Sequence, residues 1–232
     1  MKDLQKQFIE FEEHLLNDVK PSAYFKSFAD SGLFENTYPF TLLGDLMKIE
    51  QPPDHHPEGS VWEHTLMVVD LAAEARTVSD DPRVLMWSAL LHDLGKASTT
   101  RIRRGRITAY DHDKLGAVLA VDFLREFTDD ESFIRSVSQM VRWHMQILFV
   151  VKHLPFADVD KMLSEVPLGE IALLSLCDRL GRGEMTEQNK QREMDDLKYF
   201  LQYCQKHLDE SKAMGIIPDS ESSISPNTIW DK

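Results

Sequence analysis

From Val61 to Leu180 the chain repeats one device: an apolar run of helical character with an imidazole or a carboxylate set at or near one end. VWEHTLMVVDLAAEA, Val61 to Ala75, carries His64 in its first turn. VLMWSALLHDLGK, Val84 to Lys96, passes from crowded apolar residues straight into the pair His92-Asp93, with Gly95 as a way out for the backbone. YDHDKLGAVLAVDFLREF opens near His112, FIRSVSQMVRWHM carries His144 toward its end, and LGEIALLSLCDRLGRG does the same with Asp178. Apolar segments of this length separated by short breaks predict an all-α body. Each of these polar residues falls within about one or two turns of a helix end, where coordination positions can open to solvent.

A single His-Asp dipeptide reads as a hydrogen-bonded core pair. Five such segments together read as a metal cage. Imidazole nitrogen with carboxylate oxygen suits a borderline or hard divalent ion, and no pair of thiolates accompanies it. Cys177 and Cys204 are the only cysteines, too few for a disulfide framework or a zinc knuckle. The expected site is therefore open and chemical.

The rest of the chain frames that site. Residues 1–20 place Phe8, Ile9, Phe11, Leu15, Leu16 and Val19 at helical spacing, and a second helix is expected over Tyr24 to Phe28 before Gly32. QPPDHHPEGS, Gln51 to Ser60, is a turn-rich loop with His55 and His56 in it. TTRIRRGRIT, Thr99 to Thr108, alternates around Gly105 and predicts a small β-hairpin with Arg101, Arg103, Arg104 and Arg106, close in sequence to Asp93 and His112. That ribbon either guides a phosphate or single-stranded end or is an ordinary solvated strand pair. Further helices are expected over Phe156 to Leu163 and Glu184 to Leu208, followed by an irregular tail that Trp230 could dock.

With 42% hydrophobic residues in 232, the chain can bury a sizeable core. A net charge of −13 disfavours duplex DNA, and the charged first twenty residues read as neither a signal peptide nor a membrane span. A cytoplasmic protein is the expectation.

With those residues on the page, the chain resembles the HD-domain metal-dependent phosphohydrolases: His64, His92, Asp93 and Asp178 correspond to the family's H, HD and D. QPPDHHPEGSVWEHTLMVVD, with LLHDLGK and CDRLGRG, looks like the HD domain behind the nucleotidyltransferase head of bacterial CCA-adding enzymes, over about residues 40–185. The resemblance implies an HD-type helical bundle: a packed N-terminal segment at 1–40, the core at 41–185, and a C-terminal helix and tail at 186–232. It also implies that the four signature residues hold one divalent ion (Mn, Fe, Co, Ni or Mg), with His112 and His144 matching the extra histidines some members use for a second. The glycine-serine turn and paired aspartates of a nucleotidyltransferase site are absent, so CCA addition is not expected. Neither is the Gly-Tyr-Pro motif of the cyclic di-GMP branch present, nor a clear Glu-Asp pair after His-Asp as in guanosine tetraphosphate hydrolases.

The function so implied is hydrolysis, by metal-activated water, of a phosphomonoester or phosphodiester of a nucleotide or an RNA end, such as a 2′,3′-cyclic phosphate or a 2′-phosphate. Asp93 is expected to orient the water or bridge two metals. His112 and His144 serve a second metal or proton transfer and phosphate binding, and Lys96 and Arg179 offer positive charge to phosphoryl oxygens. The competing roles are a helix-end dipole partner for Lys96 and a carboxylate partner for Arg179. Rival functions are a dinuclear hydrolase of dinucleoside polyphosphates or nucleotides, a non-catalytic nucleotide-binding regulatory module, and an accessory to a separately encoded head domain. Trp62, Trp87 and Trp143 are expected in the core rather than stacked on a base.

Overall fold

The computed structural model describes residues 2–54 and 56–213; His55 and the tail with Trp230 lie outside the described residues. Its helices are α1 (Lys2–Asn17), α2 (Ser22–Asp30), α3 (Leu33–Asn36), α4 (Thr41–Leu46), α5 (Val61–Ala75), α6 (Pro82–Leu91) and α7 (Lys96–Thr99). After the hairpin strands β1 (Arg101–Arg103) and β2 (Arg106–Thr108) come α8 (His112–Arg125), α9 (Glu131–Trp143), α10 (Gln146–Val151), α11 (Val159–Glu165), α12 (Leu168–Leu180) and α13 (Glu187–Ala213). Among the described residues the fold is all-α with one two-stranded antiparallel hairpin, as the sequence predicts.

Side-chain caps set the starts of three helices that lead to the polar cluster. The Ser60 hydroxyl accepts from the Glu63 N–H at 3.2 Å ahead of α5. Asp81 accepts from Val84 N–H at 3.1 Å with Pro82 at the first turn of α6, and Asp130 accepts from Phe133 N–H at 3.1 Å ahead of α9. Each cap satisfies a donor that the helix leaves free and contributes about 1 kcal/mol.

The helices α6 and α12 are buried almost all round, which is why their sequences lack a polar stripe. They pack with α5 at the centre, and α8 lies along α9 beside them. The helix α1 covers one flank: Phe8 stacks on Trp87 with ring centres 4.8 Å apart, and Phe11 meets Phe25 edge-on at 4.9 Å. Trp62, Trp87 and Trp143 are core residues, as expected.

Two helices start later than the sequence pattern places them. The helix expected over Phe156 to Leu163 begins only at Val159, because Asp158, at φ −136 and ψ 70, lies outside the helical region and its N–H donates to the Gln146 side-chain oxygen at 2.9 Å. The one expected from Glu184 begins at Glu187, because Glu184 sits at φ 56, and the Thr186 hydroxyl caps the new start through Asn189 N–H. No helix among the described residues is long and apolar enough to cross a membrane.

Candidate metal centre

Helix ends bring the polar residues together. His92 and His144 each follow directly on the last residue of a helix, α6 and α9, while His112 opens α8. All three use the same local device: Nδ1 faces the carbonyl three residues back, Ala89 at 2.9 Å, Val141 at 2.7 Å and Ala109 at 2.7 Å. A carbonyl only accepts, so Nδ1 carries the proton in each ring and the lone pair of the neutral imidazole lies on Nε2. His64 Nδ1 donates over a longer path to the Gly181 carbonyl at 3.0 Å, but its Nε2 also carries a proton and donates it to Asp178 Oδ1.

The four Nε2 atoms converge on carboxylates. His92 Nε2 and His64 Nε2 lie 3.2 and 3.9 Å from Asp93 Oδ2, while His112 Nε2 and His144 Nε2 lie 3.5 and 4.0 Å from Asp93 Oδ1. His64 Nε2 also reaches Asp178 Oδ1 at 2.9 Å. His112 and His144 face each other Nε2 to Nε2 at 3.2 Å. Two ligand sets meet at Asp93, His64–His92–Asp93 and Asp93–His112–His144, and a third group, His56–Glu58–His64, adjoins them.

The cluster is almost wholly removed from solvent, yet among the described residues His92 Nε2 and both Asp93 oxygens have no hydrogen-bond partner. Asp93 Oδ2 does meet Lys96 Nζ at 2.7 Å, as an ion pair outside hydrogen-bond geometry. Buried polar atoms left in this state are costly. A divalent cation would satisfy them, and a donor set of imidazole nitrogen and carboxylate oxygen suits one. The thiol of Cys177, next to Asp178, is pushed up to about 12 by burial and stays protonated.

Electrostatics keep the donors in ligating form. Burial alone would raise the Asp93 carboxyl, but the neighbouring His92 and the Lys96 ammonium outweigh it and hold the group well below the usual carboxylate range. Asp178 behaves likewise through its hydrogen bond to His64. Burial pushes His144 down to about 4, helped by His112 and His92, and burial also lowers His112, so both rings are neutral near pH 7. His64 is the exception: burial lowers it, but Asp178 and Glu58 overcome that and hold it at about 9.

Of the residues expected at the site, His64, His92, Asp93, His112, His144, Asp178 and Lys96 come together. Arg179 does not join them. It is buried against α13, where its guanidinium pairs with Glu193 and Asp196.

Three further residues belong to the surroundings. The loop from Gln51 is closed at its neck by the Glu50–Ser60 bridge and by Gln51 N–H on the Gly59 carbonyl at 3.0 Å. It delivers Glu58, whose Oε1 lies 3.2 Å from His64 Nδ1 and 2.7 Å from His56 Nδ1, and whose Oε2 accepts from Gly183 N–H at 2.9 Å. It also delivers Gln51, which accepts from Lys96 Nζ at 2.7 Å. Glu58 and Gln51 were missed in the sequence because loop residues have no periodicity; an acid beside the His-His doublet was the available signal. Of that doublet, His56 is half-buried beside His64, with ring centres 5.0 Å apart.

Comparison with known proteins agrees with this arrangement. The family model described as "HD domain" matches residues 61–183, more than half of the chain. A multifunctional CCA protein of Methylococcus capsulatus is 34% identical over 133 residues, 56% of this chain and 28% of the relative. One from Alkalilimnicola ehrlichii is 35% identical over 138 residues, 59% of this chain and 31% of the relative. One from Actinobacillus pleuropneumoniae is 31% identical over 97 residues, 42% of this chain and 23% of the relative. The chain thus spans roughly a quarter to a third of the length of these curated relatives.

Proposed function

The chain belongs to the HD domain family, and on that premise we propose that it is a metal-dependent phosphohydrolase acting on a phosphomonoester or phosphodiester of a nucleotide or a nucleic-acid end. The observation that carries the reading is the buried convergence of four Nε2 atoms on Asp93, whose two oxygens have no hydrogen-bond donor among the described residues. His64, His92, Asp93 and Asp178 would hold a divalent ion, and His112 and His144 with the other oxygen of Asp93 would hold a second. Such an ion supplies a Lewis acid for the phosphoryl oxygen and lowers the pKa of its bound water.

The remaining tasks fall to the chain. The backbone carbonyls of Ala89, Ala109 and Val141 fix the rings so that Nε2 stays directed inward without rearrangement. Lys96 sits where a phosphoryl oxygen approaching Asp93 would meet an ammonium, which stabilises the charge that develops there. Arg179 has its charge matched by Glu193 and Asp196 and is assigned to holding α13 on α12. The relatives are multifunctional CCA proteins, which supports an RNA-end ester, such as a 2′,3′-cyclic phosphate or a 2′-phosphate, as substrate. The sharing of Asp93 by two sets favours a dinuclear centre, and with it a dinucleoside-polyphosphate or nucleotide substrate as the second reading.

The test is hydrolysis of 2′,3′-cyclic AMP by chelator-treated protein reloaded with single divalent metals. Turnover that returns with metal and is lost in Asp93→Ala supports the reading. Turnover that ignores chelation, or survives in Asp93→Ala, overturns it.

A further inference from the structure

Four arginines stand on the β1–β2 hairpin of a chain whose net charge is −13. Arg101, Arg103, Arg104 and Arg106 are all exposed, and among the described residues no carboxylate lies within ion-pair distance of any of them. Elsewhere Arg83, Arg125 and Arg142 each meet an acid, and the exposed Arg135 and Arg192 stand singly on helices, whereas the hairpin gathers four unmatched guanidiniums. The hairpin keeps its charge unmatched.

The register orders that charge. Arg101 opposes Thr108 and Arg103 opposes Arg106, so these four side chains share one face, while Ile102 and Ile107 take the other. Arg104 and Gly105 make the turn at φ 51 and 76, which projects a further guanidinium at the tip. Arg103, Arg104, Arg106, Thr108 and Tyr110 line an open cavity of about 680 Å³. The Arg103 guanidinium sits over the exposed Tyr110 ring, 4.8 Å from its centre.

Both ends of the hairpin are tied to the metal centre. The short helix leading into β1 begins with Lys96, and β2 leads through Ala109, the residue whose carbonyl fixes His112, to Tyr110. Ala109 follows Arg106 by three steps of the chain, a reach of about 10 Å. The hairpin is thus joined to the cage through short stretches of chain at both of its ends.

We propose that the β1–β2 hairpin is a docking site for a single-stranded nucleic-acid end, with its arginines on successive phosphates and Tyr110 receiving an unpaired base. The proposal builds on the phosphohydrolase reading by naming the class of substrate delivered to the same centre. A lone phosphate would occupy one or two guanidiniums and leave the others unmatched. A duplex hides its base faces from Tyr110 and brings a long run of phosphates against an otherwise acidic surface. Arginine with an exposed aromatic is the combination that single strands recognise.

The test is fluorescence anisotropy with a labelled 12-nucleotide single-stranded RNA and the same sequence as a duplex, across a salt series, on the full chain. The wild type should bind the single strand more tightly than the duplex. Arg103→Gln/Arg104→Gln/Arg106→Gln should weaken binding at least tenfold and make the slope of log K against log salt shallower by about 2, at about 0.7 for each phosphate no longer neutralised. Tyr110→Ala should weaken binding at least fivefold with the slope unchanged. Should the triple variant fail to fold by circular dichroism, Arg101→Gln alone should still remove about 0.7 from the slope. Wild type that binds no RNA, prefers the duplex, or shares its slope with the arginine variants overturns the proposal. Hydrolysis of 2′,3′-cyclic AMP by the same wild-type preparation reports on the phosphohydrolase reading alone, so either idea can fail without the other.

Discussion

Lys96 places its ammonium 2.7 Å from Oδ2 of Asp93 and donates to Oε1 of Gln51, also at 2.7 Å. A cation is thus built into the wall of a cage that would hold cations, and the two compete for the same carboxylate oxygen. Removing the lysine should therefore help the metal and hurt the chemistry. In Lys96→Met, divalent-metal affinity should hold or rise, while kcat for a phosphate ester falls about 10²–10³-fold, the usual cost of losing one charge-stabilising group. Metal titration beside steady-state kinetics checks both; weakened metal binding with unchanged kcat would refute the assigned role.

Glu58 acts on His64 from outside the cage. Its carboxylate is held well below the ordinary range: burial alone would raise it, but hydrogen bonds from His56, His64 and Gly183 overcome that. Glu58→Gln keeps an acceptor for Gly183 N–H but takes the charge away from His64 Nδ1. Loss of such a partner typically costs 10–100-fold in metal affinity. Isothermal titration should find that loss at the His64–His92–Asp93 set, with the His112–His144 set unchanged. Equal affinities in variant and wild type would mean that the Gly181 carbonyl alone orients the ring.

Much of this was legible in the sequence because helices carry it. His64, His92, Asp93, His112, His144 and Asp178 lie at helix ends that apolar periodicity exposes, and the arginine hairpin shows in its alternation around Gly105. Glu58 and Gln51 were hidden because they reach the cage from a turn-rich loop whose path is set by the Glu50–Ser60 bridge, a pairing with no sequence pattern. Arg179 looked like a candidate through its adjacency to Asp178. Neighbours on a helix point about 100° apart, so the residue beside a ligand faces elsewhere, here toward α13. Gly95 was expected to provide a helix exit through conformational freedom, yet it sits at φ −66, an ordinary right-handed value.

Glu170 gives the fold a pH dependence of its own. It is buried in the first turn of α12, where its carboxylate accepts from the Ser79 hydroxyl at 2.6 Å and from Asp80 N–H at 2.9 Å. Burial raises the carboxyl, the two hydrogen bonds oppose that, and the charges of Asp80 and Asp81 add to the rise. A carboxyl whose folded pKa exceeds its unfolded one binds its proton more tightly when folded. Its contribution is complete below the unfolded pKa, about 4.3, and is lost as pH climbs through the higher folded value. Glu170→Gln cannot titrate, so urea unfolding of both proteins at about pH 4 and about pH 7 should show the balance moving toward the variant at the higher pH. A difference independent of pH would contradict the raised value.

Gly95 is required for what it lacks. A Cβ there would stand 2.1 Å from the His112 carbonyl oxygen and 2.7 Å from the Gly116 nitrogen, both backbone atoms that no rotamer change can move aside. Its dihedrals suit any residue, so by helix propensity alone alanine would be the better choice, and packing must set the sign. Gly95→Ala has to push the start of α8 away from the turn that holds Asp93. Overpacking of this kind costs about 1–3 kcal/mol, which lowers the melting temperature by roughly 2–12 °C in a chain of this size. Because the displaced segment begins with His112, metal binding should suffer most at the Asp93–His112–His144 set, while the set containing His64 and His92 weakens less. Thermal melts with metal titration read both effects, and a variant that melts with the wild type would show that the two segments are not pressed together as these distances require.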